Sequence, residues 1–343
     1  PKKPYALKLD SKAEILGMPK HKRWVLLANW MDRTLMRNSV SFELASRSGL
    51  AYTPRGQFVE LFVNGKHSGN YFLCEHIKVD ENRVDIDELD EDEVDGGYIM
   101  ELDAYFDEVY KFRSPVRDLP YMFKDPDEVN DAQFEFMKNY ISELEYALYD
   151  DQRIAEGENL NYIDVESFAD WWIVMELTGI WEPNHPKSTY MHKDKGGRWV
   201  MGPLWDFDAG FDFDWGYMYD GHNYFATHKE LVLGTDPIHH TEGYWVPEFF
   251  TDIFRSNEFR EMYRNRWDEI SPLILTTVWE NTQKYIDAAE EAMGRNAQRW
   301  PIYAPSDNIR HEELDFQVEI VELYTWLEKR IAYLTPIIHK YKE

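Results

Sequence analysis

The chain has 343 residues, and its 64 acidic against 37 basic side chains give a formal net charge of -27. A surface so acidic repels phosphate backbones and anionic headgroups, which excludes nucleic acid and membrane surface as expected partners and favours a basic protein or peptide. Hydrophobic residues at 43% and aromatics at 16% can bury a large core, which excludes disorder. The length predicts two domains or two lobes of one enzyme. A single cysteine, Cys74, rules out an internal disulfide and a cysteine-rich zinc site. No apolar run reaches the roughly 18 residues of a membrane span. The opening Pro1-Lys2-Lys3-Pro4 has neither initiator methionine nor apolar signal segment, as expected of a trimmed or mature form.

In chain order, Tyr5 to Asp10 alternates as a strand does, and the apolar run Trp24 to Asn29 leads into a helix expected from Asp32 to Ser46, with Leu35, Val40 and Leu44 on its buried face. Phe58 to Val63, the turn Asn64-Gly65 and Asn70 to Ile77 read as a hairpin. Asp85 to Asp95, mostly Asp and Glu, reads as a solvated, mobile loop. Tyr98 to Leu102 is a further expected strand, and a β-rich lobe is predicted to close near residue 125.

From 126 onward the pattern turns helical. Phe134, Met137, Ile141, Leu144 and Leu148 recur at spacings of three and four, and Val165 to Leu177 continues as an aromatic-rich helix. A second hairpin, Ser188 to His192 and Arg198 to Met201 around Lys195-Gly196-Gly197, interrupts the helices. Pro247 to Tyr341 is expected to be mostly helix, with one core stripe at Phe254, Phe259, Tyr263 and Trp267 and another at Val318, Val321, Trp326, Ile331 and Leu334. The expected class is α+β, with a small β-rich lobe over 1-125 and a larger, mainly helical lobe over 126-343.

The second hairpin delivers the chain to Gly202-Pro203-Leu204-Trp205-Asp206-Phe207-Asp208. Asp206 and Asp208, two apart after a strand, are placed to meet one cation, and magnesium or manganese suits a pair of carboxylates completed by water and phosphate oxygens. Trp205, Phe207, Phe211 and Phe213 surround the pair, and carboxylates among large apolar side chains require a compensating reason. The loop Trp181-Glu182-Pro183-Asn184-His185-Pro186-Lys187-Ser188 gathers acid, amide, imidazole, amine and hydroxyl groups. In it Glu182 is the expected base or substrate-orienting carboxylate, and Asn184 or Ser188 the residue reaching the metal. His185, His222, His239, His240 and Glu242 lack the spacing of a helical metal motif, and no nucleophile elbow, dinucleotide fingerprint or Walker loop is present.

The segments Lys12 to Met18, Trp24 to Asn29, Asp32 to Asn38, Asn64-Gly65, Gly69 to Glu75, Gly97 to Asp103, Pro186 to Tyr190 and Gly202 to Asp208 together resemble the spore coat protein H family of atypical kinases, its Bacteroidetes-type members in particular. The resemblance implies a distant, reduced protein-kinase-like fold of two lobes. It further implies ATP and magnesium bound between the lobes, phosphorylation of Ser or Thr on a protein, and an extracytoplasmic location, secreted or surface-associated. Asp206 matches the family's metal-binding Asp. The family's catalytic Asp falls where this chain has Glu182 or Asn184, and the following metal-ligand Asn where it has Ser188. For the nucleotide phosphates, kinase-like folds point to Lys8 on an early strand, with Arg33 and Arg37, four apart on one expected helix face, as rivals. Glu75 and Glu101, each closing a strand, are expected to line the cleft.

Three functions follow as expectations. The first is a magnesium- and ATP-dependent kinase acting on a basic, Ser-rich protein. The second is a catalytically degenerate relative that binds or assembles at a surface. The third is a glycoside hydrolase pairing Glu182 with Asp206 or Asp208.

Overall fold

The computed structural model describes residues 2-184, 186-211, 228-229, 231-233, 251-301 and 316-342. Two antiparallel sheets dominate the first two hundred residues and most of the helix follows, an α+β fold. The first sheet has the order β1-β2-β4-β3, from β1 (Tyr5–Ile15), β2 (Met18–Leu27), β3 (Gly56–Val63) and β4 (Lys66–Glu75). β1 is longer than its alternating segment suggested, because residues beyond Asp10 lie on an edge whose outer side faces solvent and so need no apolar alternation. The β1–β2 turn, unforeseen, uses Leu16 and Gly17 at φ 50 and 79. The Asn64-Gly65 turn sits at φ 50 and 76, the paired left-handed residues of a tight hairpin turn.

The second sheet has the order β6-β7-β5-β8-β9. It comprises β5 (Tyr98–Leu102), β6 (Lys111–Arg113), β7 (Pro120–Asp125), β8 (Thr189–Lys193) and β9 (Trp199–Met201), and so takes strands from both sides of residue 125. The three-residue β6 and the Pro-led β7 carry too little pattern to be read from sequence. The acidic stretch 85–95 has no regular structure and is held to the β8–β9 turn: Asp95 pairs with Lys193, Glu93 with Lys195, and Asp87 N–H donates to Asp194 Oδ1 at 2.9 Å.

Helix α1 runs Arg37–Ser46, starting five residues later than expected. Asp32 is the reason. Its carboxylate accepts from Thr34 N–H (2.9 Å), Thr34 Oγ1–H (2.7 Å) and Arg37 N–H (2.7 Å), and Leu35 adopts φ 55, so 32–36 is a capping turn. Arg33 therefore lies in the turn and does not share a helix face with Arg37.

Helix α2 (Asp131–Tyr149) opens on a capping box between Asn130 and Gln133, followed by the short α3 (Asp151–Ala155) and by α4 (Val165–Thr178), capped by Asp164. The long α5 (Asn257–Arg299) and α6 (Phe316–Ile338) complete the described helices. On α6 the buried stripe is Ile320, Leu323, Trp326, Leu327 and Leu334, whereas Val321 is exposed. The true stripe includes Glu319 and Arg330, buried because each is ion-paired, and a purely apolar pattern misses such residues.

One apolar cluster runs from α1 through the second sheet to α4, α5 and α6. Polar pins lock its layers. Arg330 on α6 donates to Glu176 on α4, at 2.6 Å to its carbonyl and 2.8 Å to its carboxylate, and Arg266 on α5 grips Asp170 on α4 at 2.7 and 2.9 Å. α5 also reaches the first sheet: Asn70 N–H donates to Asn296 Oδ1 (3.0 Å), and Arg295 pairs with Glu60 (2.8 Å).

Candidate functional site

The site is built where α4, the β8–β9 hairpin, the end of β5 and the start of α1 converge. α4 ends at Gly179, which is left-handed at φ 60 and donates its N–H to Met175 O at 2.9 Å. A Cβ there would lie 3.0 Å from the Trp326 ring, so the cap needs glycine twice over. The chain then turns through Glu182–Asn184, and Lys187 N–H closes the loop on Glu182 O at 2.9 Å. β8 pairs with β5 so that Thr189 faces Leu102 and Tyr190 faces Glu101. This register sets Asp103 beside the loop: Ala104 N–H reaches Pro186 O at 2.8 Å and Ser188 N–H approaches Asp103 Oδ2 at 3.4 Å.

After β9 the chain leaves the sheet, and Asp206 stands in irregular backbone at φ 67, not on a strand. Alternation therefore does not explain its neighbourhood with Asp208. An amide relay does. Phe207 N–H donates to Asn38 Oδ1 (2.7 Å), Asn38 Nδ2–H to Asn29 Oδ1 (3.0 Å), and Asn29 Nδ2–H to Leu35 O (2.9 Å), while Phe211 N–H is bonded to Thr178 O. The loop is thereby tied to α1 on one side and α4 on the other. Trp205 stacks on Phe42 of α1 with ring centres 6.1 Å apart.

The electrostatics of the cluster are strained. Burial raises Asp206 above the usual carboxylate range and Asp103 adds to it, against the Ser188 hydroxyl, which donates to Asp206 Oδ2 at 3.3 Å, and the charge of Lys187. Asp208 is pushed well up by burial and by Asp206, Asp32 and Glu182, with Arg37 opposing. Glu182 is pushed up to about 7 by burial, then by Asp206. In the same turn Asn184 is 5% exposed, and among the described residues neither its amide nitrogen nor its amide oxygen has a hydrogen-bond partner. Leaving such groups unpaired costs about 1–3 kcal/mol, and structures retain them where a ligand or ion completes the set. A small cleft is lined by Glu182, Lys187, Ser188, Trp205, Phe207 and Met175.

A family model described as CotH kinase protein matches residues 1–334. The chain belongs to the CotH kinase protein family. A comparison with curated proteins finds no match. CotH membership suggests an atypical kinase-like function and, with it, nucleotide binding. No described helix is long and apolar enough to cross a membrane.

Of the residues expected from the sequence, the structure brings Glu182, Ser188, Asp206 and Asp208 together, with Asn184 buried in the same loop. Glu101 is close by, coupled to Asp103, to the Tyr190 hydroxyl and to Lys124 at 3.2 Å. Arg37 is bonded to Asp32 at 3.1 Å, and its charge acts on Asp208. Arg33 is buried in a pair with Glu319 at 2.7 Å. Glu75 is fully buried, held by Arg55 at 2.8 Å and the Tyr52 hydroxyl at 3.0 Å. Lys8 is exposed on edge strand β1 opposite Arg23. His185, Phe213, His222, His239, His240 and Glu242 fall outside the described residues.

The oxygen donors at Asp206, Asp208 and Ser188 fit a hard divalent cation, and the excess of carboxylates over nearby cations supplies the charge it would offset. Among the described residues no three acidic, histidine or cysteine side chains form a ready-made metal cage. Magnesium does not need one, because it takes one or two carboxylates and completes its shell with water and phosphate oxygens. Three members of the cluster escaped sequence reasoning as site residues: Asp103, Lys187 and Asn38. The β5–β8 register places Asp103, and a contact between α1 and residue 207 places Asn38. Neither pairing is written in local pattern.

Proposed function

We propose that this chain is a magnesium- or manganese-dependent, ATP-using kinase that phosphorylates Ser or Thr of a protein, with Asp206, Asp208 and Ser188 holding the cation. The observation that carries the reading is the gathering of Glu182, Ser188, Asp206 and Asp208 into one interacting cluster, in a family described as kinase. A bound divalent ion would supply charge neutralisation for the phosphates. Glu182, held near 7, is matched to accept the acceptor hydroxyl's proton as that oxygen bonds to the terminal phosphorus and the bond to the diphosphate leaving group breaks. Asn184, an amide, cannot take that proton and is left to orient the acceptor or reach the cation. The net charge of -27 favours a basic, Ser-rich acceptor, and the family resemblance favours an extracytoplasmic setting.

The test is transfer of radiolabelled terminal phosphate from ATP to a basic Ser-rich peptide or to the chain itself. Glu182→Gln is expected to slow transfer about a hundredfold or more while ATP binding stays near wild type. A second reading, a degenerate module that binds nucleotide without transferring phosphate, draws support from the departures near Glu182 and Ser188, where Glu182 or Asn184 stands in place of the family's catalytic Asp and Ser188 in place of its Asn. ATP binding with no transfer to any acceptor would establish that reading and refute the first. Transfer at the wild-type rate by both Glu182→Gln and Asn184→Ala would displace the catalytic loop altogether.

A further inference from the structure

The cations expected to meet phosphate are committed elsewhere: Lys8 to the outer edge strand, Arg33 to Glu319 and Arg37 to Asp32. Lys187 is different. It lines the cleft beside Glu182, Ser188 and Trp205 and is half-buried. Its backbone N–H is bonded to the carbonyl of Glu182, and the charges of Glu182 and Asp103 both act on its ammonium. Yet the ammonium forms no ion pair among the described residues. It rests on Tyr105, 4.6 Å from the ring centre, and donates a long 3.4 Å bond to the phenol oxygen. Tyr105 is itself 71% exposed and anchored at its own backbone, where its N–H donates to Asp103 Oδ1 at 2.7 Å.

A lysine whose task was to neutralise the carboxylates would close on one of them, since a charge-assisted bond outweighs a long bond to a neutral phenol. Held on an aromatic face, the ammonium keeps its donors available at small cost, because a cation–π contact at an exposed site contributes only about 0.5–1 kcal/mol. A phosphate entering the cleft offers three strong acceptors to a point charge on a flexible stem, which suits lysine.

We propose that Lys187, carried on the Tyr105 ring, is the anion-binding residue of the cleft, and that its ligand is the terminal phosphate of a nucleoside triphosphate. The inference rests on the nucleotide reading of the same site and adds the residue that grips the phosphate. With a divalent cation held by Asp206 and Asp208, Lys187 would take part of the phosphate charge, which would let a site built of carboxylates accept a polyanion.

Calorimetric titration of the chain with magnesium alone, magnesium–ATP and magnesium–tripolyphosphate tests this. Lys187→Met is expected to weaken ATP and tripolyphosphate alike by about tenfold or more, as befits loss of a charged hydrogen bond, with magnesium alone bound no more weakly. Lys187→Arg should keep most of the affinity. If wild type binds ATP and Lys187→Met binds ATP and tripolyphosphate within twofold of it, or more tightly, Lys187 is only a counter-ion to the carboxylates and the inference is overturned by itself. If wild type binds neither polyphosphate, the nucleotide reading falls and takes the inference with it.

Discussion

Replacing Glu182 by Gln should stabilise the free protein at alkaline pH. The carboxyl has an ordinary value of 4.5 and is held at about 7 by burial and by Asp206, so the folded state binds its proton more tightly than the unfolded state. Between pH 4.5 and about 7 the native chain carries more of that proton. Stability is therefore lost as pH rises through that window, and the full loss is present above it. A displacement from 4.5 to about 7 corresponds to roughly 3 kcal/mol at most. Residual exposure of Glu182 and the partners a buried amide requires reduce the expected gain to about 2 kcal/mol at pH 8. Near pH 4.5 the two proteins should be equal. Urea unfolding of wild type and Glu182→Gln at both pH values measures the difference. Equal or lower stability of the variant at pH 8 would refute the claim that Glu182 is ionised there against its surroundings. A gain would mark stability withheld from the fold at a group needed for chemistry.

Three further substitutions probe what positions the site. Asn38→Ala leaves Phe207 N–H without its 2.7 Å acceptor and Asn29 Oδ1 without its donor; a loss of about 2–3 kcal/mol in chemical denaturation and weaker magnesium–ATP binding are expected, and unchanged ATP affinity would dissociate the relay from the site. Arg330→Met strands Glu176, 2% exposed, without its buried cation. The expected cost is about 3–5 kcal/mol, a melting temperature lower by about 4–7 °C for a chain of this size, and partly recovered by adding Glu176→Gln; a melting point within 1 °C or so of wild type would contradict it. Gly179→Ala forces a left-handed residue against Trp326, costing about 1–2 kcal/mol or more, checked by the same melting measurement.

The hairpins at Asn64-Gly65 and Lys195-Gly196-Gly197 and the helix over Val165–Thr178 were legible because local chemistry dictates them: turn residues that tolerate left-handed backbone, and an unbroken apolar run between Asp164 and Gly179. The pair Asp206 and Asp208 was legible for a reason that proved incomplete. Strand alternation is not the cause of its convergence, since Asp206 stands in irregular backbone. Hydrogen bonds from residues 207 and 211 to Asn38 and Thr178 position it, across more than 160 and more than 30 residues of chain. The start of α1 was misread because Asp32 satisfies the helix end from outside, making a capping turn look helical. Asp103 and Lys187 required the β5–β8 register, which no local pattern specifies.

The central claim is that Asp206 couples a divalent cation to nucleotide phosphates. Calorimetric titration of ATP into wild type and Asp206→Asn, each with and without magnesium, tests it most directly. Wild type is expected to bind ATP only when magnesium is present, and Asp206→Asn, which removes one anionic ligand while keeping the side chain's shape, to lose that binding with its melting point intact. Equal ATP affinity in wild type and Asp206→Asn at matched magnesium would contradict the account.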